Sequence, residues 1–165
     1  MLDNEIIIKL KKANAIIEGH FVLTSGRHSN LYIEKFRVLE DPVLLEYVAN
    51  KMAQNYINSD IDIVVGAAVG GILISSAIAK IFGVKRIFTE RVNSKMKFKR
   101  GFKINKGANV LVVEDIVTTG GSINELLEVL SQFSCNIIGI VSLLDRNEEP
   151  LNFQFPYFPL IQYPV

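Results

Sequence analysis

The run Val110-Leu111-Val112-Val113-Glu114-Asp115-Ile116-Val117-Thr118-Thr119-Gly120-Gly121-Ser122 constrains this chain more than any other feature. Four apolar residues in succession read as a strand buried on both faces. A sheet with one wet face has no place for such a strand, whereas a parallel sheet covered by helices does. The strand ends on two adjacent acids, then a Thr/Gly loop, then a helix predicted over residues 123–133. The same alternation recurs elsewhere: strands are predicted over 61–65, 85–89 and 137–144, and a helix over 72–82. The fold class is therefore α/β, a central parallel sheet flanked by helices. With 165 residues and no repeat or linker, residues 1–165 read as a single domain.

The flanking segments fill in around this sheet. Asp3 or Asn4 can cap a first helix carrying Ile7, Leu10, Ala13 and Ile17 and ending near Gly19. Residues 21–36 mix turn formers with Leu31, Tyr32 and Ile33, which predicts a loop and a short strand outside the main sheet. Asp41-Pro42 opens a second helix, Asp as N-cap and Pro in its first turn, with Leu45, Val48, Met52 and Tyr56 on one side. The Phe/Pro-rich end, 153–164, predicts an edge strand and a packing tail.

Composition excludes several classes. Half the residues are apolar (49%) and 21% are charged, so disorder and low complexity are out. Cys135 is the only cysteine, which forbids an intramolecular disulfide and a cysteine-based zinc site and fits a reducing cytoplasm. His20 and His28 read as a structural hydrogen-bonder and a surface loop residue rather than a metal pair. The N-terminus starts acidic and lacks an apolar stretch ending in small residues, so no secretory signal is expected. Residues 63–79 carry no charge, but Gly66, Gly70 and Gly71 break the run into a buried strand, a turn and a buried helix, and no membrane partner is expected.

Charge is unevenly spread. The net charge of +1 gives no support to a nucleic-acid coat. Yet residues 85–106 hold nine Lys/Arg and one acid, Glu90, leaving nine bases against sixteen acids elsewhere. Within this segment Arg91-Val92-Asn93-Ser94-Lys95-Met96-Lys97-Phe98-Lys99-Arg100 shows no strong period and lies between two strands, as a mobile loop would. By themselves its cations read as a solvated face.

The loop after the central strand carries chemistry. Backbone N–H groups at a helix N-terminus converge on one spot where the helix dipole adds positive charge, which suits a phosphate. Thr118, Thr119 and Ser122 add hydroxyl donors. Two acids beside a phosphate repel it, so they make sense as acceptors for a sugar diol carried by that phosphate, or facing Mg²⁺. The run is neither a Walker A loop nor a GxGxxG turn. The glycines at 66–71 form a second strand-to-helix loop, explained equally by phosphate contact and by close helix packing.

The run 110–122 resembles the phosphoribosyl diphosphate (PRPP) signature of the type I phosphoribosyltransferases. Glu18-Gly19-His20-Phe21-Val22-Leu23-Thr24-Ser25-Gly26-Arg27-His28-Ser29, Val64-Val65-Gly66-Ala67-Ala68-Val69-Gly70-Gly71, Thr89-Glu90-Arg91 onward to Gly101, and Leu143-Leu144-Asp145-Arg146 look like orotate phosphoribosyltransferase in order and spacing. The resemblance covers essentially the whole chain. It implies the type I fold, with a small N-terminal hood at about 18–38 and a mobile basic loop at about 91–102. It also implies transfer of the 5-phosphoribosyl group from Mg²⁺-PRPP to orotate in pyrimidine biosynthesis, giving orotidine 5′-monophosphate and diphosphate, with Mg²⁺ carried by PRPP and not bound directly by the protein. On this resemblance the PRPP-binding residues are Gly70, Arg91, Lys95, Lys97, Glu114, Asp115, Ile116, Val117, Thr118, Thr119, Gly120, Gly121 and Ser122. Arg91, Lys95 and Asp115 are catalytic, and Thr118, Arg146, Tyr32 and Ile33 face orotate. The implied assembly is a cytoplasmic homodimer whose loop serves the neighbouring subunit's site, with neither nucleic acid nor membrane as a partner. Many orotate enzymes carry lysines where this chain has Thr24 and Gly70, absences shared by a prokaryotic subgroup, and many carry a second loop lysine at Val92. Two rivals share the ribose phosphate seat: a purine phosphoribosyltransferase, and a PRPP-sensing regulator that turns the basic stretch to nucleic acid.

Overall fold

Each helix and strand can be traced to local sequence and then to the face it buries. The computed structural model describes residues 4–22, 26 and 28–163. It begins with α1 (Asn4–Lys12), the hairpin strands β1 (Ile16–Val22) and β2 (His28–Ile33), a single turn α2 (Phe36–Leu39), and α3 (Pro42–Ala53), which tightens into a 3-10 turn at Gln54–Tyr56. Then follow β3 (Ile63–Ala67), α4 (Gly70–Phe82), β4 (Lys85–Val92), β5 (Lys95–Phe98), β6 (Asn109–Val117), α5 (Gly121–Leu130), β7 (Asn136–Asp145) and β8 (Tyr157–Gln162). Asp41 starts α3 as expected, its carboxylate accepting from the N–H groups of Val43 at 2.9 Å and Leu44 at 3.1 Å. Gly83, in the left-handed region at φ +68°, ends α4.

The main sheet has the order β5-β4-β3-β6-β7-β8, parallel throughout except for the β4–β5 hairpin. Residues 110–113 of β6 have no accessible surface. Their parity divides the core. Leu111 and Val113 face α3 and α4 together with Val64, Ile74 and Val141, while Val110 and Val112 face α5 together with Ile63, Val65, Ile123 and Leu126. That is why the central strand shows no polar alternation in sequence. The uncharged run 63–79 is β3 and most of α4, and among the described residues no helix is long and apolar enough to cross a membrane. β1 and β2 form a separate two-stranded sheet anchored on the same core through Ile16 and Leu31. At the far edge β8 lies parallel to β7, and Pro159 is tolerated because one side of that strand has no neighbour.

Two expectations are corrected. The first helix stops at Lys12 rather than near Gly19, and Ile17 and Gly19 belong to β1. Asn14 turns the chain at φ +56°, and pairing of Ile16 with Ile33 and Ile17 with Tyr32 outweighs the helical spacing. The basic stretch, expected to be irregular, is a hairpin over most of its length: β4 runs to Val92, Asn93 and Ser94 turn at φ +49° and +63°, and β5 returns antiparallel. Its period is two, with Met96 buried and Phe98 half-buried between exposed Lys95, Lys97 and Lys99. The density of cations hides this alternation in the sequence. Asp3, the alternative first cap, and Leu23, Thr24, Ser25 and Arg27 of the glycine-rich hood segment lie outside the described residues, as does Pro164.

The Asp41 cap gives a stability prediction. Asp41→Ala removes acceptors for two N–H groups of the first turn and should lower stability by about 1 kcal/mol. For a chain of this size that is roughly 2–4 °C in thermal midpoint, read by a circular dichroism melt, and an unchanged midpoint would show that solvent satisfies those groups equally well.

Candidate active site

In an open parallel sheet the crevice for a ligand forms at the carboxyl edge, where neighbouring strands send their connections to opposite sides. Here that point lies between β3 and β6, because β3 leads to β4 on one side while β6 and β7 extend the sheet on the other. Two loops flank it, residues 68–69 leading into α4 and residues 118–120 leading into α5. Glu114 and Asp115 sit at this edge and are only 7% and 6% exposed.

Two buried acids in succession need partners. Glu114 Oε1 accepts from the Asp115 N–H at 2.9 Å, and Asp115 Oδ1 accepts from the Ile116 N–H at 2.5 Å. Asp115 Oδ2 accepts from Lys35 Nζ at 2.6 Å, a half-buried ion pair spanning 80 residues of sequence. Burial pushes the Glu114 carboxyl up from its ordinary value to about 8; the Asp115 charge adds to the rise, and the Asp115 N–H opposes it. Behind them Ser142, paired in register with Glu114, shares a 2.8 Å hydrogen bond with Tyr157, whose hydroxyl is also pushed upward by burial.

The loop into α5 follows directly. Gly120 adopts φ +76°, and a Cβ there would press on the Phe153 ring at 2.9 Å, so conformation and packing both require glycine. α5 starts at Gly121, whose N–H makes a long 3.4 Å contact to Thr119 Oγ1, and the N-cap residue Gly120 supplies no side-chain cap. The first N–H groups of α5 therefore line a cavity of about 50 Å³ bounded by Glu114 and residues 116–123. Thr118, Thr119, Gly120, Gly121 and Ser122 are all on this wall, with Ile116 and Val117 leading into it.

At the second loop the close-packing explanation accounts for Gly66, where a Cβ would collide with the Gly71 carbonyl and Ser75. Gly70 has a different neighbour: a Cβ there would fall on the Asp115 carboxylate. Arg146 follows β7 at the same edge, its N–H donating to the Val117 carbonyl at 2.9 Å. Among the described residues its buried Nε has no hydrogen-bond partner, while the Asp145 side chain accepts from Asn147. Tyr32 and Ile33 point to opposite sides of β2, Tyr32 exposed beside Phe21 and Ile33 packed on the core.

The hairpin cations stand apart from this cavity. Arg91 pairs with Glu125 of α5 at 2.8 Å and donates to the Ser94 carbonyl. Lys95 and Lys97 line a separate surface groove together with Glu125 and Glu128 of α5. His20 and His28 are hydrogen-bonded to each other on the β1–β2 hairpin at 2.6 Å. Sequence reasoning missed Lys35, which follows Glu34 in an ordinary acid–base doublet; no spacing there announces a partner 80 residues away.

A phosphoribosyl transferase domain matches residues 39–161. An orotate phosphoribosyltransferase of Thermoanaerobacter is 39% identical over 95% of this chain and 83% of its own, and one of Desulforamulus reducens is 41% identical over 90% and 78%. The chain belongs to the orotate phosphoribosyltransferase family. The crystal structure of orotate phosphoribosyltransferase from Aeropyrum pernix, 28% identical, superposes with a TM-score of 0.71 over 87% of this chain and 82% of that one. Family membership bears out the type I fold expected from the run 110–122.

Glu114 makes a pH prediction for this phosphoribosyltransferase. Its carboxyl lies above its ordinary value of 4.5 in the folded chain, so between that value and about 8 the folded chain keeps a proton that the unfolded chain releases. Stability from this group is then full below the window and falls as pH rises through it. Glu114→Gln, which cannot ionise, should gain several degrees in thermal midpoint over the unsubstituted protein on going from pH 5 to pH 8.5. A midpoint difference that stays constant across that range would mean Glu114 is ionised throughout.

Proposed function

We propose that this protein transfers the 5-phosphoribosyl group of Mg²⁺-PRPP to orotate, giving orotidine 5′-monophosphate and diphosphate. The observation that carries the reading is the buried pair Glu114–Asp115 beside an uncapped helix N-terminus at the switch point of the sheet. A phosphate alone would leave the acceptor oxygens of these acids without a donor, while a ribose 5-phosphate satisfies both features: its phosphate takes the N–H groups of residues 118–122 and its hydroxyls donate to the carboxyl oxygens. The acids serve as hydrogen-bond acceptors, and Mg²⁺ arrives on the diphosphate as part of the substrate. The loop holds the ribose so that its C1 faces the base.

Orotate gives up its ring N–H proton, and that nitrogen attacks C1 as the bond from C1 to the diphosphate oxygen breaks, the electron pair leaving with diphosphate. No protein nucleophile takes part. Arg146, with an unpartnered Nε at the carboxyl edge, is suited to a planar carboxylate and ring carbonyl. Thr118 lies in the loop beside it, and of the two hood residues only the exposed Tyr32 is free to cover the ring, since Ile33 is packed on the core. Charge growing on diphosphate calls for cations. Arg91, Lys95 and Lys97 lie along α5 rather than over their own phosphate loop, which supports their service to a second subunit in a symmetric dimer.

Turnover with Mg²⁺-PRPP against orotate, uracil, adenine, hypoxanthine and xanthine tests the substrate directly, and product from orotate alone is expected. Arg146→Ala removes charge-assisted hydrogen bonding to the orotate carboxylate worth about 1.5–3 kcal/mol in all, so the KM for orotate should rise roughly 10- to 150-fold with little change in that for PRPP. Unchanged orotate kinetics would sink the base assignment.

Sharing of the site is tested by mixing. A Lys95→Ala variant, expected to lose about 10²–10³ in rate, and an inactive Asp115→Asn variant are dissociated and reassociated together. Each mixed dimer then holds one intact site, and part of the activity should return. Confirmed mixed dimers without recovery would mean the hairpin serves its own subunit.

A further inference from the structure

Three neighbours fix the Asp115 carboxylate, and only one of them, Ile116, belongs to its own strand. Oδ1 takes the Ile116 N–H, Oδ2 takes the Lys35 ammonium at 2.6 Å, and the third side is closed by Gly70, where even a methyl group has no room. Each oxygen keeps a free lone pair, so the carboxylate can still accept from hydroxyl groups.

Lys35 is well placed to set this orientation. It lies between the β1–β2 hairpin and α2, in a segment with little freedom. The Glu34 N–H donates to the Ala15 carbonyl at 2.9 Å, the Lys35 carbonyl accepts from Val38 and Leu39, and those two side chains are buried in the core. The ammonium also lies 5.6 Å from the centre of the Phe36 ring. Its side chain is 28% exposed against 8% for that of Asp115, whereas a surface pair such as Lys80–Glu46 is 76% and 59% exposed. A pair removed this far from water holds its geometry better than a solvated one.

We propose that Lys35 is a positioning residue for phosphoribosyl transfer, fixing the Asp115 carboxylate for the ribose hydroxyls and making that fit depend on where the hood sits. The inference rests on the reading of Asp115 as a ribose acceptor. Lys35 acts through Asp115 and stays outside the bond-making step. Displacing the hood withdraws the ammonium, frees the Asp115 side chain to rotate, and weakens recognition of the sugar while the phosphate loop is untouched.

The test separates sugar from phosphate. Ribose 5-phosphate and 2-deoxyribose 5-phosphate differ by one hydroxyl, and calorimetric titration of each into the unsubstituted protein, Lys35→Met and Lys35→Arg gives a preference for every form. The unsubstituted protein should favour ribose 5-phosphate about tenfold, a difference expected of a hydrogen bond to a charged acceptor. Lys35→Met should bind the two within about twofold, and Lys35→Arg should recover most of the preference. A role in folding alone would lower the thermal midpoint and both affinities together and leave the preference intact. Retention of the full preference by Lys35→Met overturns the inference, and Lys35→Gln gives the same comparison should the Met variant not fold. Absence of any preference in the unsubstituted protein overturns the ribose seat itself, and the inference with it.

Discussion

The structure depends on one arrangement: two carboxylates buried side by side at the end of the central strand. Taking a carboxylate out of water costs several kcal/mol unless hydrogen bonds or an opposite charge replace the lost solvation. Glu114 and Asp115 receive a backbone N–H each, and Asp115 alone receives an ion pair. Burial of Glu114 beside that charge is then met by raising its carboxyl, so the two acids differ in character although they are neighbours in sequence. The surrounding backbone is shaped by this pair. Gly70 leaves the volume that Asp115 fills, the segment after β2 must bring Lys35 to the carboxyl edge of the sheet, and the chain beyond Val117 turns at once into the glycine loop before α5.

What could be read from sequence follows from the range of the interactions involved. β6 and β7 were legible because burial on both faces leaves an uninterrupted apolar run, and α3 because Asp41-Pro42 states its own start. The strand, acid pair and glycine turn into α5 were legible because they lie within thirteen consecutive residues. The first boundary was misread because Ile7, Leu10, Ala13 and Ile17 satisfy a helical period while cross-strand pairing with Tyr32 and Ile33 decides the outcome from fifteen residues or more away. The basic hairpin was misread for a different reason. Its buried face is only Met96 and Phe98, too short a period to stand out among the cations.

Lys35 is the sharpest case. Nothing in the local sequence distinguishes it from the exposed lysines, since its role is defined only after the hairpin has packed on the core and brought residue 35 against residue 115. Arg146 was legible by position, at the end of an apolar strand beside the acid-bearing one, although its candidate partners were not. The structure gives the Asp145 side chain to Asn147 and leaves the Nε of the arginine buried without an acceptor. An unpaired donor of that kind carries a desolvation cost that an incoming acceptor relieves, which favours a ligand with a carboxylate or carbonyl over an apolar one.

The glycine at position 70 connects these threads. The family resemblance places a lysine there in many orotate enzymes, and its absence looks from sequence like a missing cation. In the folded chain any side chain at 70 would enter the volume held by the Asp115 carboxylate, so a lysine at 70 and the present Lys35–Asp115 pair compete for one space. A lysine at 70 would bring its charge from the loop beside β3. Lys35 brings its charge from the hood side instead, through a backbone anchored by Ala15 and by the buried Val38 and Leu39. The site does not lack a cation near its acids, because the charge enters from a different element. Its position is therefore set by how the N-terminal hairpin packs rather than by the loop that contacts the acids directly.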